Sequence, residues 1–350
     1  MEKLQALADR LVADGEVPGA VVGMTDGREH WVGSAGAVGN DSVFRVSSMT
    51  KPLAAVIALR LVESGVLGLQ DPVERWLPEL AGQRVVRRLD GPVDDTVPVE
   101  RAATVEDLLT MRLGFGFAFE VESCPVAELA GELGFGPPRP SSVALDPDRW
   151  IARFGELPLM DQPGQVWRYE LAYAVLGVLL ARASGVDLPE LFRRELLDPL
   201  GMGDTGFVVP EHARGRLARS FVGTDVFDDA ATSEWLVPPV FPHAGGGLVS
   251  TAGDYLTFVA ALMNGELVRP DLAAAMVTDQ LTAEQRSGPS AQIFLDGGGW
   301  GYGVQVVGDR YGWGGGLGTL WYSKGGIGAV LMTQVLPPSP ATVAAFVEAL

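Results

Sequence analysis

Apolar residues recur along this chain with two different periods, and those periods divide it into three stretches. Over residues 3–14, Leu4, Leu7 and Leu11 fall on one face at helical spacing, which predicts an amphipathic helix. Residues 20–24 and 29–33 read as strands on either side of an Asp26-Gly27 turn. The helical period returns over 50–63, where PLAAVIALRLVE is apolar nearly all round, the mark of a buried helix. From about 72 to 240 the pattern is helical and loop-rich, with helices expected over 105–111, 146–154, 171–183 and 188–197. The run GFGPPRPSS at 134–142 reads as an irregular surface loop. Strand signals come back after about 243, at 303–307, 318–322 and 328–334, with a helix before them at 252–263 and another after them at 341–349. Strands at both ends with helices between predict a single sheet built from 1–71 and 243–350. A mainly helical lobe, 72–242, is then inserted into it.

Composition narrows the class. At 350 residues, 47% hydrophobic and 20% charged, the chain can bury an ample core as one large domain or two interleaved lobes. A formal net charge of −18 repels a phosphate backbone, so a nucleic-acid partner is not expected. The single cysteine, Cys124, rules out an internal disulfide and has no histidine close by in sequence to make it a nucleophile. The three histidines, His30, His212 and His243, show no close pairing, which argues against a zinc site. The N-terminal MEKLQALADRLVADGEVPG has no apolar h-region or cleavage site, and no apolar run is long enough to span a bilayer. A cytoplasmic protein is therefore expected, with no membrane partner. The sequence carries no signal for oligomeric state.

The chemistry is concentrated at Ser48-Met49-Thr50-Lys51, where a helix begins. Positions three apart share a helix face, so the Lys51 amine can sit beside the Ser48 hydroxyl. A free serine is a weak nucleophile, and a neighbouring base is the usual remedy. The chain has 26 basic residues but only three lysines, Lys3, Lys51 and Lys324. Lysine, unlike arginine, can give up its proton when desolvated. A tyrosine lowered by nearby positive charge can supply a second base, and Tyr169 in PGQVWRYELAYAVLG is the candidate. A glycine-rich segment, Tyr311 to Thr319, lies before a strand; it could form a hairpin or bulge, or let a substrate approach backbone N–H groups that hold an oxyanion. The triplets at 245–247 and 297–299 read as loops. None of the 16 serines has glycine at both −2 and +2, so the nucleophile elbow of α/β-hydrolases is absent.

The order S-x-x-K, tyrosine, glycine-rich strand resembles the serine β-lactamase and penicillin-binding protein superfamily. The stretches FRVSSMTKPLAA, LGLQDPVERWLPEL, TVEDLLTMRLGFG, PGQVWRYELAYAVLG, GGGLVSTAGDYLTFVAALMNG and YGWGGGLGTLWYSKGGIGAVLMTQ are most similar to its class C-like branch and to family VIII carboxylesterases. The resemblance implies an α+β fold: an antiparallel sheet flanked by helices, plus a helical lobe, with the active site between them. It also implies that Ser48 is the acylated nucleophile, assisted by Lys51, and that Tyr169 shuttles the proton. The N–H groups of Ser48 and Gly316, with Gly315 beside them, would hold the oxyanion. Two departures point to the esterase branch. The Y-x-N motif reads Tyr169-Glu170-Leu171, and the K-T-G motif reads Trp313-Gly314-Gly315. Losing one charge-assisted contact costs about 1.5–3 kcal/mol, so a neutral acyl or alcohol group beside Leu171 and Trp313 is favoured over a carboxylate. The expected activity is hydrolysis of small-molecule carboxylic esters through an acyl-enzyme, with no metal or organic cofactor. An acyltransferase of the same fold, or a β-lactamase or D-alanyl carboxypeptidase, is the alternative.

Overall fold

The protein is described here by a computed structural model covering residues 1–134 and 139–350. Part of the loop expected at 134–142, residues 135–138, lies outside the described residues; Pro140–Ser142 forms a short 3-10 turn. Seven strands form the main sheet, in the order His30–Gly36, Gly19–Thr25, Ile327–Met332, Thr319–Lys324, Arg310–Gly315, Gln305–Val307 and Gly299–Trp300. Every neighbouring pair is antiparallel. The sheet therefore joins the two ends of the chain, as the hydrophobic pattern predicts.

Alternation along the strands sends their side chains to opposite faces. Ala20, Val22, Leu320, Tyr322, Ala329 and Leu331 join one cluster with Leu4, Leu7 and Leu11 of the first helix, Glu2–Ala13, and Phe346 of the last, Pro340–Ala349. Val21, Trp321, Val330 and Met332 join the main core on the other face, with Leu256 and Val259 of the helix Ala252–Met263. Full burial of one such side chain stabilises the fold by about 1.5–3 kcal/mol, so both faces are firmly covered. The helix Thr50–Glu63 is buried at every position from Thr50 to Leu59, which accounts for its lack of a polar stripe.

Several elements differ from the sequence reading for local reasons. The helix expected at 105–111 ends at Leu109, and Met111 takes a positive φ of 55°. The strand expected from 303 starts at Gln305, because Gly303 turns the chain at φ 81°. The helix expected at 188–197 changes hydrogen-bonding pattern to a π-turn over Arg193–Leu197. Gly299, expected in a loop, opens the edge strand. The glycine-rich run is itself a strand, Arg310–Gly315, and its turn makes a hairpin with Thr319–Lys324. Glycine has poor strand propensity, so this strand carries little local signal. The loop-rich middle of the chain also holds two small hairpins, Arg84–Val86 with Thr96–Pro98 and Ser220–Val222 with Asp225–Asp228.

Candidate active site

Ser48 lies in a 3-10 turn, Ser47–Met49, that runs directly into the helix Thr50–Glu63. Its backbone is fixed from both sides. The Val46 N–H donates to the Leu248 carbonyl at 3.0 Å, and the Leu248 N–H donates to Thr50 Oγ1 at 3.2 Å. The Tyr255 hydroxyl donates to the Met49 carbonyl at 2.9 Å. Ser47 sits at φ 47°, a left-handed conformation that non-glycine residues rarely adopt and that clusters at functional sites.

The side chains predicted from the S-x-x-K motif meet. Lys51 Nζ donates to Ser48 Oγ at 3.0 Å and to the Gly245 carbonyl at 2.7 Å. The Tyr169 hydroxyl donates to Ser48 Oγ at 2.8 Å, and Lys51 Nζ stands 4.7 Å from the centre of the Tyr169 ring. Trp313 Nε1 donates to the Tyr169 oxygen at 3.0 Å. Two donors thus converge on Oγ and a third supports the phenol, an arrangement that stabilises negative charge on the serine oxygen.

Tyr169 is held by its neighbours before it does any chemistry. Its carbonyl accepts from the Phe117 N–H at 2.8 Å, and its N–H donates to Ser290 Oγ at 3.1 Å. Its ring stacks on Phe294 with centroids 4.6 Å apart. The preceding residue, Arg168, is buried and clamped by Asp161 and Glu120. Burial holds the Tyr169 phenol above its ordinary pKa. The Lys51 ammonium and the bonds with Ser48 and Trp313 oppose this, and the Glu170 carboxylate reinforces it. The expectation that positive charge lowers this tyrosine is therefore corrected: Lys51 acts in that direction, but desolvation outweighs it. At rest the phenol is a neutral donor.

These groups sit at the base of a cavity of about 370 Å³. Its walls include Ser47, Phe117, Phe294, Trp313 and the three glycines Gly314, Gly315 and Gly316. The strand carrying the first two of these glycines approaches the Ser48 turn so closely that a Cβ on Gly315 would overlap the Val46 carbonyl, and Thr319 Oγ1 donates to that same carbonyl at 3.1 Å. The hairpin closes through the Gly318 N–H to the Gly315 carbonyl at 3.1 Å, a bond that does not use the Gly316 N–H. Leu171 is not part of this site. It is fully buried in the core and is absent from the cavity wall; the residues of its motif that line the cavity are Tyr169 and Glu170.

A family model described as Beta-lactamase matches residues 4–350. The chain belongs to the Beta-lactamase family. Among its relatives, Protein Rv1367c of Mycobacterium tuberculosis is 36% identical over 317 residues, covering 83% of this chain and 77% of that protein. Esterase EstB of Burkholderia gladioli is 31% identical over 320 residues, covering 82% and 76%. A solved structure of EstCE1, described as a hydrolase with promiscuous acyltransferase activity, matches with a TM-score of 0.82 at 23% identity, covering 99% of this chain and 97% of that one. That likeness shows the shared fold: an antiparallel sheet flanked by helices.

Within this Beta-lactamase fold, three contributors escape sequence reasoning. Gly245, in a triplet read as a loop, supplies the carbonyl that anchors Lys51. His243 anchors Gly245 in turn, since the Gly245 N–H donates to His243 Nδ1 at 3.0 Å. Glu170 stands 3.8 Å from Lys51 Nζ. Only Glu170 had a usable signal, as an acidic residue between two motif positions; the other two act through backbone proximity that only folding creates.

Proposed function

We propose that this protein is a serine hydrolase that cleaves carboxylic esters of small molecules through an acyl-enzyme on Ser48. The observation that carries this reading is the pair of hydrogen bonds to Ser48 Oγ, from Lys51 Nζ at 3.0 Å and the Tyr169 hydroxyl at 2.8 Å, at the base of an apolar cavity. In the reactive form the Lys51–Tyr169 pair has released one proton to solvent, so that as Ser48 Oγ attacks the ester carbonyl its proton passes to the vacant base of that pair. The oxyanion accepts from the N–H groups of Ser48 and Gly316. Tyr169 then hands a proton to the departing alcohol, and the C–O bond to it breaks. Water attacks the acyl-enzyme by the same route, giving the free acid and restoring Ser48. The named activities of EstB and EstCE1 support the hydrolase reading.

An acyltransferase is the second reading. It is favoured by the apolar wall, which suits an organic acceptor in place of water, and by the acyltransferase side activity in the description of EstCE1. A β-lactamase or D-alanyl carboxypeptidase reading ranks lower because Trp313 occupies the position of the family's cationic or polar residue. We also propose a cytoplasmic location without nucleic-acid partners, and a division into an α/β lobe, 1–71 with 243–350, and a helical lobe, 72–242. No helix among the described residues is long and apolar enough to cross a membrane. The test is turnover of short-chain p-nitrophenyl esters by the wild type and Ser48→Ala, with intact mass after fluorophosphonate treatment. Loss of turnover and of the adduct in Ser48→Ala is expected; equal rates would sink the assignment.

A further inference from the structure

Glu170 is a buried carboxylate that the reaction just described does not use. Its side chain keeps 5% exposure, and Oε1 has no hydrogen-bond partner among the described residues. The nearest cation is Lys51 Nζ at 3.8 Å, beyond hydrogen-bonding range. Lys51 has three donors, and two are already committed, to Ser48 Oγ and the Gly245 carbonyl. A buried charge without a full set of partners is costly, so its persistence here needs a reason.

The two charges differ in what they meet. Lys51 is fully buried and does not line the cavity, whereas Glu170 does. No Arg, Lys, His or Asp is found among the described residues lining the cavity, so Glu170 is the only carboxylate on that wall, beside the two phenols of Tyr169 and Tyr322. The remainder is aromatic, aliphatic or glycine, apart from the two serines. A molecule seated against Ser48 therefore meets a carboxylate first, in surroundings too apolar to screen it well.

We propose that Glu170 is the charge filter of this site: it turns away acyl groups that carry a carboxylate and admits uncharged and amine-bearing ones. This deepens the ester-hydrolase reading and rests on it. The substrate class is then neutral or cationic esters, and rejection of carboxylate-bearing substrates comes from a repulsive group as well as from a missing attractive one.

The experiment uses p-nitrophenyl esters of matched acyl length ending in methyl, carboxylate or ammonium. Burial raises the Glu170 pKa above the ordinary carboxylate value while Lys51 opposes this, so the assay is run at about pH 8 to favour its ionised form. For two unit charges about 10 Å apart at an effective dielectric of about 20, the expected penalty is on the order of tenfold in kcat/KM. The wild type is expected to disfavour the carboxylate ester by about that factor relative to the methyl ester. In Glu170→Gln the carboxylate-to-methyl ratio should rise about tenfold and the ammonium-to-methyl ratio should fall, while Glu170→Asp keeps the wild-type sign. Ratios cancel any general loss of rate. Equal kcat/KM for the carboxylate and methyl esters in the wild type overturns the filter, and so do unchanged ratios in a folded Glu170→Gln. Should no ester be turned over, the hydrolase reading fails separately. Alkylboronic acids with the same three tails, read by thermal shift of the wild type, then decide the filter: weaker stabilisation by the carboxylate tail supports it, and equal stabilisation overturns it.

Discussion

The Trp313 indole N–H donates to the Tyr169 hydroxyl at 3.0 Å, while that hydroxyl donates to Ser48 Oγ at 2.8 Å. An uncharged donor thus occupies the position where the resemblance leads one to expect a cation or a polar side chain. Its effect on the phenol is directional rather than ionic. It stabilises negative charge on the tyrosine oxygen without adding a positive charge to the cavity.

Trp313→Phe removes this donor and keeps most of the ring surface that packs edge-on against Trp300, centroids 4.8 Å apart. A hydrogen bond to a developing charge contributes about 1.5–3 kcal/mol. The expected outcome is a fall of about tenfold or more in kcat for p-nitrophenyl esters, with KM little changed and the melting temperature near that of the wild type. A KM effect with intact kcat would show that Trp313 only binds substrate.

Gly315→Ala tests the close packing of the glycine-rich strand on the Ser48 turn. The added Cβ has no room beside the Val46 carbonyl and Thr319 Oγ1, and overpacking of this kind costs about 1–3 kcal/mol. Activity should fall further than stability does, because the displaced carbonyl belongs to the turn that sets Ser48. Thermal unfolding alongside ester kinetics checks this; unchanged kcat with a lowered melting temperature would confine the contact to structure.

His243 links the site to pH. Burial first, and the Lys51 charge second, lower its pKa from 6.5 to about 3. The unfolded chain therefore binds a proton between about pH 6.5 and 3 that the folded chain refuses. Stability from this residue is complete above pH 6.5 and declines as pH falls towards 3, by about 1.4 kcal/mol per pH unit. Thermal unfolding at a series of pH values from 7 to 4 should show a shallower decline in His243→Gln than in the wild type. Parallel curves would remove His243 as the source.

The S-x-x-K pair was legible because its geometry is local. A three-residue step on a helix brings Lys51 to Ser48 whatever the rest of the chain does, and the two are found 3.0 Å apart. Tyr169 was legible as a candidate base and gained its place at Ser48 from the family pattern, since nothing local ties it to a residue 121 positions away. Leu171 marks the limit of that pattern. The motif places it beside the substrate, but the backbone turns it into the core and presents Glu170 to the cavity.

By itself, then, the sequence determined the main helices, the strands whose side chains alternate, and the pairing of Ser48 with Lys51, because each depends on spacing along a regular backbone. Only the tertiary structure decided the strand character of the glycine-rich run, which owes its form to pairing with Thr319–Lys324 rather than to propensity. It alone decided the chain from His243 through the Gly245 carbonyl to Lys51, and the facing of Glu170, because contacts between distant segments follow from packing and leave no periodic trace in the order of residues.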